Sequence, residues 1–178
     1  DPQNGATLST LEIPCPAGYG GMVTGGLNWD GANMWFIANM PELVGNTWYQ
    51  RSKILALNPA SGKICRMLPW PTDYANYAGV AAGGGYLWAC GDADGTGVNT
   101  QHMIWKLDPV TGAVVSSWPL PAEMSVSGAT AIEYVNGVLW LGENHAQNAL
   151  TGIPRIYRLN AMNGQVIDSF PAPYGTSA

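Results

Sequence analysis

A few short stretches hold the side chains able to do chemistry in this 178-residue chain. "GDADGTGVN" (91–99) sets Asp92 and Asp94 two residues apart, just before Gly95. That is the start of an oxygen-ligand loop, because a hard calcium ion collects six to eight oxygens. The same pattern also makes an Asx turn, in which the carboxylates accept from backbone N–H groups. "GENHAQN" (142–148) sets Glu143 two residues before His145, with Asn144 between them. His145 is a candidate general base if it meets Glu143 or Asp92 within hydrogen-bond reach. "GNTWYQRS" (45–52) carries Trp48, Tyr49 and Arg51. An aromatic pair beside a guanidinium can stack on a sugar ring or on the apolar patch of a partner. Tyr74 in "DYANY" (73–77) is a further candidate binding residue, as is Asn144. Cys15, Cys65 and Cys90 form no CxxC pair and have no neighbouring His. Buried thiols, or one disulfide plus a free thiol, both fit this spacing better than a nucleophile does.

Composition says what kind of scaffold must position these groups. Only 11% of the residues are charged, against a usual share of about 25%. Eight Trp, 23 Gly and 13 Pro accompany that low charge, which suits a turn-rich all-β protein. The seven Lys and Arg are scattered and the net charge is −5. A phosphate backbone needs a basic stripe, so nucleic acid is excluded as a partner. No apolar run reaches the roughly 18–20 residues of a bilayer span. Asp1 is not a translational start, so a processed or trimmed product is expected. The composition suits an extracellular or periplasmic protein.

An internal period organises the rest. The turns "LNPASGKI", "LDPVTGAV" and "LNAMNGQV" begin at 57, 107 and 159. Trp35, Trp88 and Trp140 lie in register upstream of them, within "NMWFIAN", "YLWACGD" and "VLWLGEN". The period is about fifty residues, and each unit parses into four strands, A to D. A tight Gly/Asn turn joins A to B, and an Asn/Asp-x-x-x-Gly turn joins C to D. Strand D ends in Pro-x-Pro, which only an outer edge tolerates, so D lies outside and A inside. This predicts a single all-β domain, a β-propeller with three four-stranded blades: 22–71, 78–121 and 128–173. "LEIPCPAG" repeats the D pattern without a unit before it, so 8–16 is expected to be one extra N-terminal outer strand.

"GLNWDGANMWFIAN" followed by "ILALNPASGKI" resembles the repeats of bacterial secreted propellers of the YncE-like, streptogramin-lyase-like and glutamine-cyclotransferase-like kinds. The resemblance covers nearly the whole chain and implies architecture more than activity, since such repeats serve many functions. Lactonase-like propellers hold a metal with Glu, Asn and Asp, and streptogramin-lyase-like ones act through a His/Glu pair. The residues flanking Glu143 and His145 do not match either pattern, so neither set transfers here.

The long B–C loops, 40–52, 91–103 and 145–154, and the D–A connections share one face of a propeller. Loop 91–103 also offers Asn99 and His102. Three blades do not close a ring. The expected function is therefore a non-enzymatic assembly or binding module. Its partner is itself, joined through terminal strands 8–16 and 165–173 into a ring or a filament. The alternatives are a carbohydrate- or peptide-binding propeller and a lactonase- or lyase-like enzyme on the B–C/D–A face. No cofactor is required, and calcium is the one that Asp92 and Asp94 suggest. Neither the ligand nor the pairing of the three cysteines follows from the residues alone.

Overall fold

A computed structural model describes residues 3–7, 10–17, 19, 22–72, 79–93, 101–122, 124, 129–143 and 154–172. Among the described residues, twelve strands form three antiparallel sheets in simple meander order. Blade 1 is β1 (Val23–Trp29), β2 (Met34–Val44), β3 (Thr47–Asn58) and β4 (Lys63–Pro69). Blade 2 is β5 (Gly79–Gly83), β6 (Tyr86–Asp92), β7 (His102–Leu107) and β8 (Val114–Pro119). Blade 3 is β9 (Ala129–Val135), β10 (Val138–Glu143), β11 (Arg155–Asn160) and β12 (Val166–Pro171). No described helix is long and apolar enough to cross a membrane.

The inner strands β1, β5 and β9 lie side by side, and the D strands are outermost. The burial pattern follows from this. β6 is buried on both faces because blade 2 has a neighbour on each side. β8 and β12 are largely exposed, so Pro119 and Pro171 cost no ladder bond. Tight turns do the joining. Asn136 and Gly137 both adopt positive φ between β9 and β10, the pairing that a two-residue hairpin turn requires.

Two apolar cores fill the spaces between blades. Trp35, Ile37, Ile54, Leu68 and Trp70 of blade 1 pack on Val80, Leu87, Ala89, Trp105 and Leu107 of blade 2. Trp88, Cys90 and Ile104 of blade 2 pack on Ile132, Leu139, Leu141, Tyr157 and Leu159 of blade 3. A third cluster lies on the outer flank of blade 1, where Ile13, Tyr19 and Met22 cover Phe36, Ala38, Met40, Leu55 and Leu57.

Two expectations fail. The stretch 40–52 is not a loop. β2 and β3 continue as a paired arm to a two-residue turn at Gly45-Asn46, with Val44 opposite Thr47. Gly45 has φ +63°, which glycine adopts without strain. The alternation beyond Pro41 was masked in the sequence by the polar residues of an arm with two exposed faces. Of the expected outer strand at 8–16, the described residues 10–16 enter no ladder. It has no C strand of its own to pair with, and Pro14 and Pro16 remove two donors.

Candidate functional site

The ladder pairings give each blade one common frame. Leu27, Val80 and Ile132 are equivalent, as each faces the residue just after the aligned Trp: Phe36, Ala89 and Leu141. Met34, Leu87 and Leu139 precede that Trp and pair with Leu57, Leu107 and Leu159. In blades 2 and 3 these positions form the surface that receives the previous blade, including its Trp. Trp35 is thus buried against blade 2. Trp88 stacks on Tyr134 of blade 3 with ring centres 5.7 Å apart, and on Trp118 at 6.1 Å.

In blade 1 the equivalent surface is a groove. Leu27, Met34, Phe36 and Leu57 line an open apolar cavity of about 470 Å³, together with Gly25, Gly26, Leu11 and Ile13. Leu27 is 65% exposed. At the other end of the row, Trp140 is half-buried, with Phe170 edge-on at 6.1 Å and the Arg158 guanidinium 5.3 Å above its ring. Arg158 is also paired with Asp168, Nε to Oδ1 at 2.6 Å and Nη2 to Oδ2. That bond holds the Asp168 carboxyl below its ordinary value and raises the Arg158 guanidinium. Among the described residues, blade 3 therefore ends in a half-covered Trp surface and blade 1 in a partly covered groove.

At the axis, Asn28 and Glu133 occupy equivalent positions, opposite Trp35 and Trp140. The blade-2 equivalent is Ala81, a small residue on a Gly/Ala-rich strand. Asn28 Nδ2 donates to Glu133 Oε2 at 2.6 Å, and Ala82 N donates to Asn28 Oδ1 at 2.8 Å. One buried Asn thus ties all three blades together.

The B–C ends carry polar pairs in register. Asn39 faces Ser52 in blade 1, with Ser52 Oγ donating to Asn39 Oδ1 at 2.5 Å. Asp92 faces His102 in blade 2, with Oδ1 to Nδ1 at 2.5 Å. Asp92 is fully buried and His102 nearly so. The Asn39–Ser52 pair of blade 1 holds the same register as Asp92–His102 in blade 2. Asp92–His102 is the last register pair of β6 and β7, whereas the β2–β3 ladder runs on past Asn39–Ser52 to Val44–Thr47.

The candidate residues are dispersed. Glu143 is half-buried, and its Oε2 accepts from the backbone N of Arg155 at 3.0 Å. His145, Asn144, Tyr74, Asp94 and Asn99 lie outside the described residues. Asp92 points at His102, and among the described residues no three His, Cys, Asp or Glu side chains converge on a metal position. Trp48 lies on β3 opposite Leu43 rather than in a loop. Tyr49 is exposed on the arm, with the Arg51 guanidinium 5.5 Å from its ring centre and Arg51 Nε 3.6 Å from Glu42 Oε2. Both of these contacts of Arg51 lie within its own arm. Cys15 and Cys65 are exposed free thiols, and burial pushes the Cys90 thiol up to about 12.

Sequence reasoning found both Asp92 and His102 but not their pairing, and missed Asn28, Glu133 and the groove. The signal was present in the repeat. Positions counted back from Trp35, Trp88 and Trp140 align Asn28 with Glu133 and Leu27 with Val80 and Ile132.

No family model matches the chain, and no curated protein matches it in sequence. Among solved structures it is similar to the β-propeller domain of the Trilobed protease from Pyrococcus furiosus, a propeller with an open velcro topology. Identity is 11% and the TM-score 0.50, over 88% of this chain and 45% of that one. The chain thus spans less than half the length of that neighbour. Three four-stranded antiparallel sheets around shared inner strands, together with this likeness, make the chain a set of β-propeller blades.

Proposed function

We propose that this chain is a non-enzymatic assembly module in which the Trp140 flank of one copy seats in the blade-1 groove of a second copy. One observation carries this: the groove residues Leu27, Met34, Phe36 and Leu57 are register equivalents of the surfaces that receive Trp35 and Trp88 inside the chain. The joint is therefore already built twice, and the terminal flanks of the described blades carry its two halves. Repeat proteins cover such terminal flanks because their neighbouring repeats supply most of the stability. Two copies related by a two-fold axis make a six-bladed ring, within the about four to eight blades that close. Association runs through blade flanks rather than the strand edges at 8–16 and 165–173.

The quoted repeats support placing the blades with the YncE-like, streptogramin-lyase-like and glutamine-cyclotransferase-like propellers, and the composition supports an extracellular or periplasmic location. The test is solution mass by sedimentation equilibrium at micromolar concentration. The protein is expected to show twice the chain mass, and Trp140→Ala to reduce it to the single chain while remaining folded. A wild-type protein of single-chain mass, or a Trp140→Ala variant with unchanged mass, overturns the proposal.

A further inference from the structure

We infer that residues 10–16 are a displaceable cap that stands in for the outer strand of a preceding blade and competes with an incoming copy for the blade-1 flank. This rests on the flank-to-flank reading above.

The C–D turns locate the cap. Gly112 abuts the end of the blade-1 D strand: a Cβ there would lie 2.9 Å from Pro69 Cδ and 3.1 Å from Leu68 Cβ. Gly164 abuts the blade-2 D strand in the same way, with Trp118 Cγ at 2.7 Å. Leu68 and Trp118 are equivalent, facing Ile54 and Ile104. At Gly62, the matching turn of blade 1, the place is taken by Leu11, whose Cδ1 would lie 2.8 Å from an added Cβ. Ile13 then enters the cluster around Phe36, Leu55 and Leu57. The D-like sequence at the start of the chain therefore does sit in a D position, but as a stub of the blade before blade 1.

That position is required by the partner. In a flank-to-flank joint the incoming blade 3 brings its own D strand, β12, and Phe170 is the equivalent of Leu68 and Trp118. Phe170 and the stretch around Leu11 and Ile13 occupy the same space. One must leave, and the cap is the weaker holder. Its described residues make no ladder with blade 1, and Leu11 is 45% exposed. It also leaves the groove open beside it. An incoming blade brings Trp140 and Phe170 together to the same flank.

The cap thus sets a threshold for association. If the uncapped state is a minor fraction of the population, the apparent dissociation constant is raised by the inverse of that fraction. The test uses the full chain. Leu11→Ser together with Ile13→Ser loosens the cap and alters no residue of a blade. Sedimentation equilibrium of this double variant is compared with the wild type and with Trp140→Ala. The double variant is expected to associate about tenfold more tightly than the wild type, as for a cap closed about nine-tenths of the time. A double variant that is folded by circular dichroism and associates no more tightly overturns the cap, while loss of association in Trp140→Ala leaves the flank joint standing. Equal association of Trp140→Ala and wild type overturns the joint itself. A synthetic peptide of residues 10–16 gives a second readout: it should weaken association of the double variant, and a peptide without effect counts against the cap.

Discussion

At the scale of residues, the informative groups are those whose surroundings contradict their chemistry. Cys90 is fully buried and its thiol is pushed up to about 12, so it carries essentially no thiolate at neutral pH. Cys15 and Cys65 are exposed. An aromatic disulfide reagent should therefore titrate two thiols per native chain and three after denaturation; three in the native state would place Cys90 elsewhere. Burial raises the Asp30 carboxyl, but bonds from Trp35 Nε1 and from the backbone N–H groups of Asn33 and Ala32 outweigh it, leaving it below its ordinary value of 3.8. A carboxyl lowered in the folded state stabilises above its unfolded value, and that share is lost as pH falls through the folded value. Asp30→Ala should lower the melting temperature at pH 7, at a cost of about 1 kcal/mol, since the backbone donors left behind are exposed to solvent. The gap to wild type should narrow below about pH 4. A gap constant down to pH 2 would show that ionisation of Asp30 contributes nothing. Trp88 is 2% exposed and sandwiched between Trp118 and Tyr134. Its truncation to Ala should cost about 3–5 kcal/mol, measured by urea unfolding.

At the scale of elements, the C–D turns are joints as well as reversals. Gly164 has φ +71° and lies against the Trp118 ring, whereas Gly137 has φ +84° and open space around its Cα. Ala at Gly137 faces only the left-handed penalty, about 1–2 kcal/mol. Ala at Gly164 faces the same penalty plus a collision with a packed ring. Gly164→Ala should therefore destabilise more than Gly137→Ala in denaturant titrations. Equal losses would mean that the turn does not touch blade 2. The β2–β3 arm has no counterpart among the described residues of the other two blades. It presents Leu43, Val44 and Tyr49 to solvent, and its Glu42–Arg51 pair spans its two strands. Tyr19 forms a bridge with Glu42 at its base. Burial and the Glu42 charge raise the Tyr19 phenol above its ordinary value.

At the scale of the molecule, blade order is held by the two interblade cores and by one polar tie. Asn28 reaches Glu133 over Ala81 and accepts from Ala82 N, so it spans blades 1, 2 and 3. Asn28→Leu should leave Ala82 N without that acceptor and cost about 1–3 kcal/mol. Glu133→Gln keeps an acceptor for Asn28 Nδ2 and should cost less. If Asn28→Leu melts with the wild type, the tie is dispensable and apolar packing alone sets blade order. The exposed Leu27 and the half-buried Trp140 are at opposite ends of this three-blade row. Solution mass is thus the measurement that reads the state of both flanks at once.

Much of this was written in the period of the chain. Strand order, turn positions, the inner place of A and the outer place of D follow from alternation, from Gly/Asn turns and from Pro-x-Pro. All of these are local constraints on backbone geometry. The register of Trp35, Trp88 and Trp140 also predicts which face each Trp covers. Other features depended on contacts between residues far apart in sequence. Asn28 and Glu133 are separated by 105 positions and meet only because a Gly/Ala strand lies between them. Asp92 and His102 become a pair only once the β6–β7 ladder is in register. The opening "LEIPCP" has the residues of a D strand but not its partner, so local pattern alone calls it a strand. Its packing on Gly62 and in the groove of blade 1 is decided by the empty space a preceding blade would fill, which only the folded chain defines.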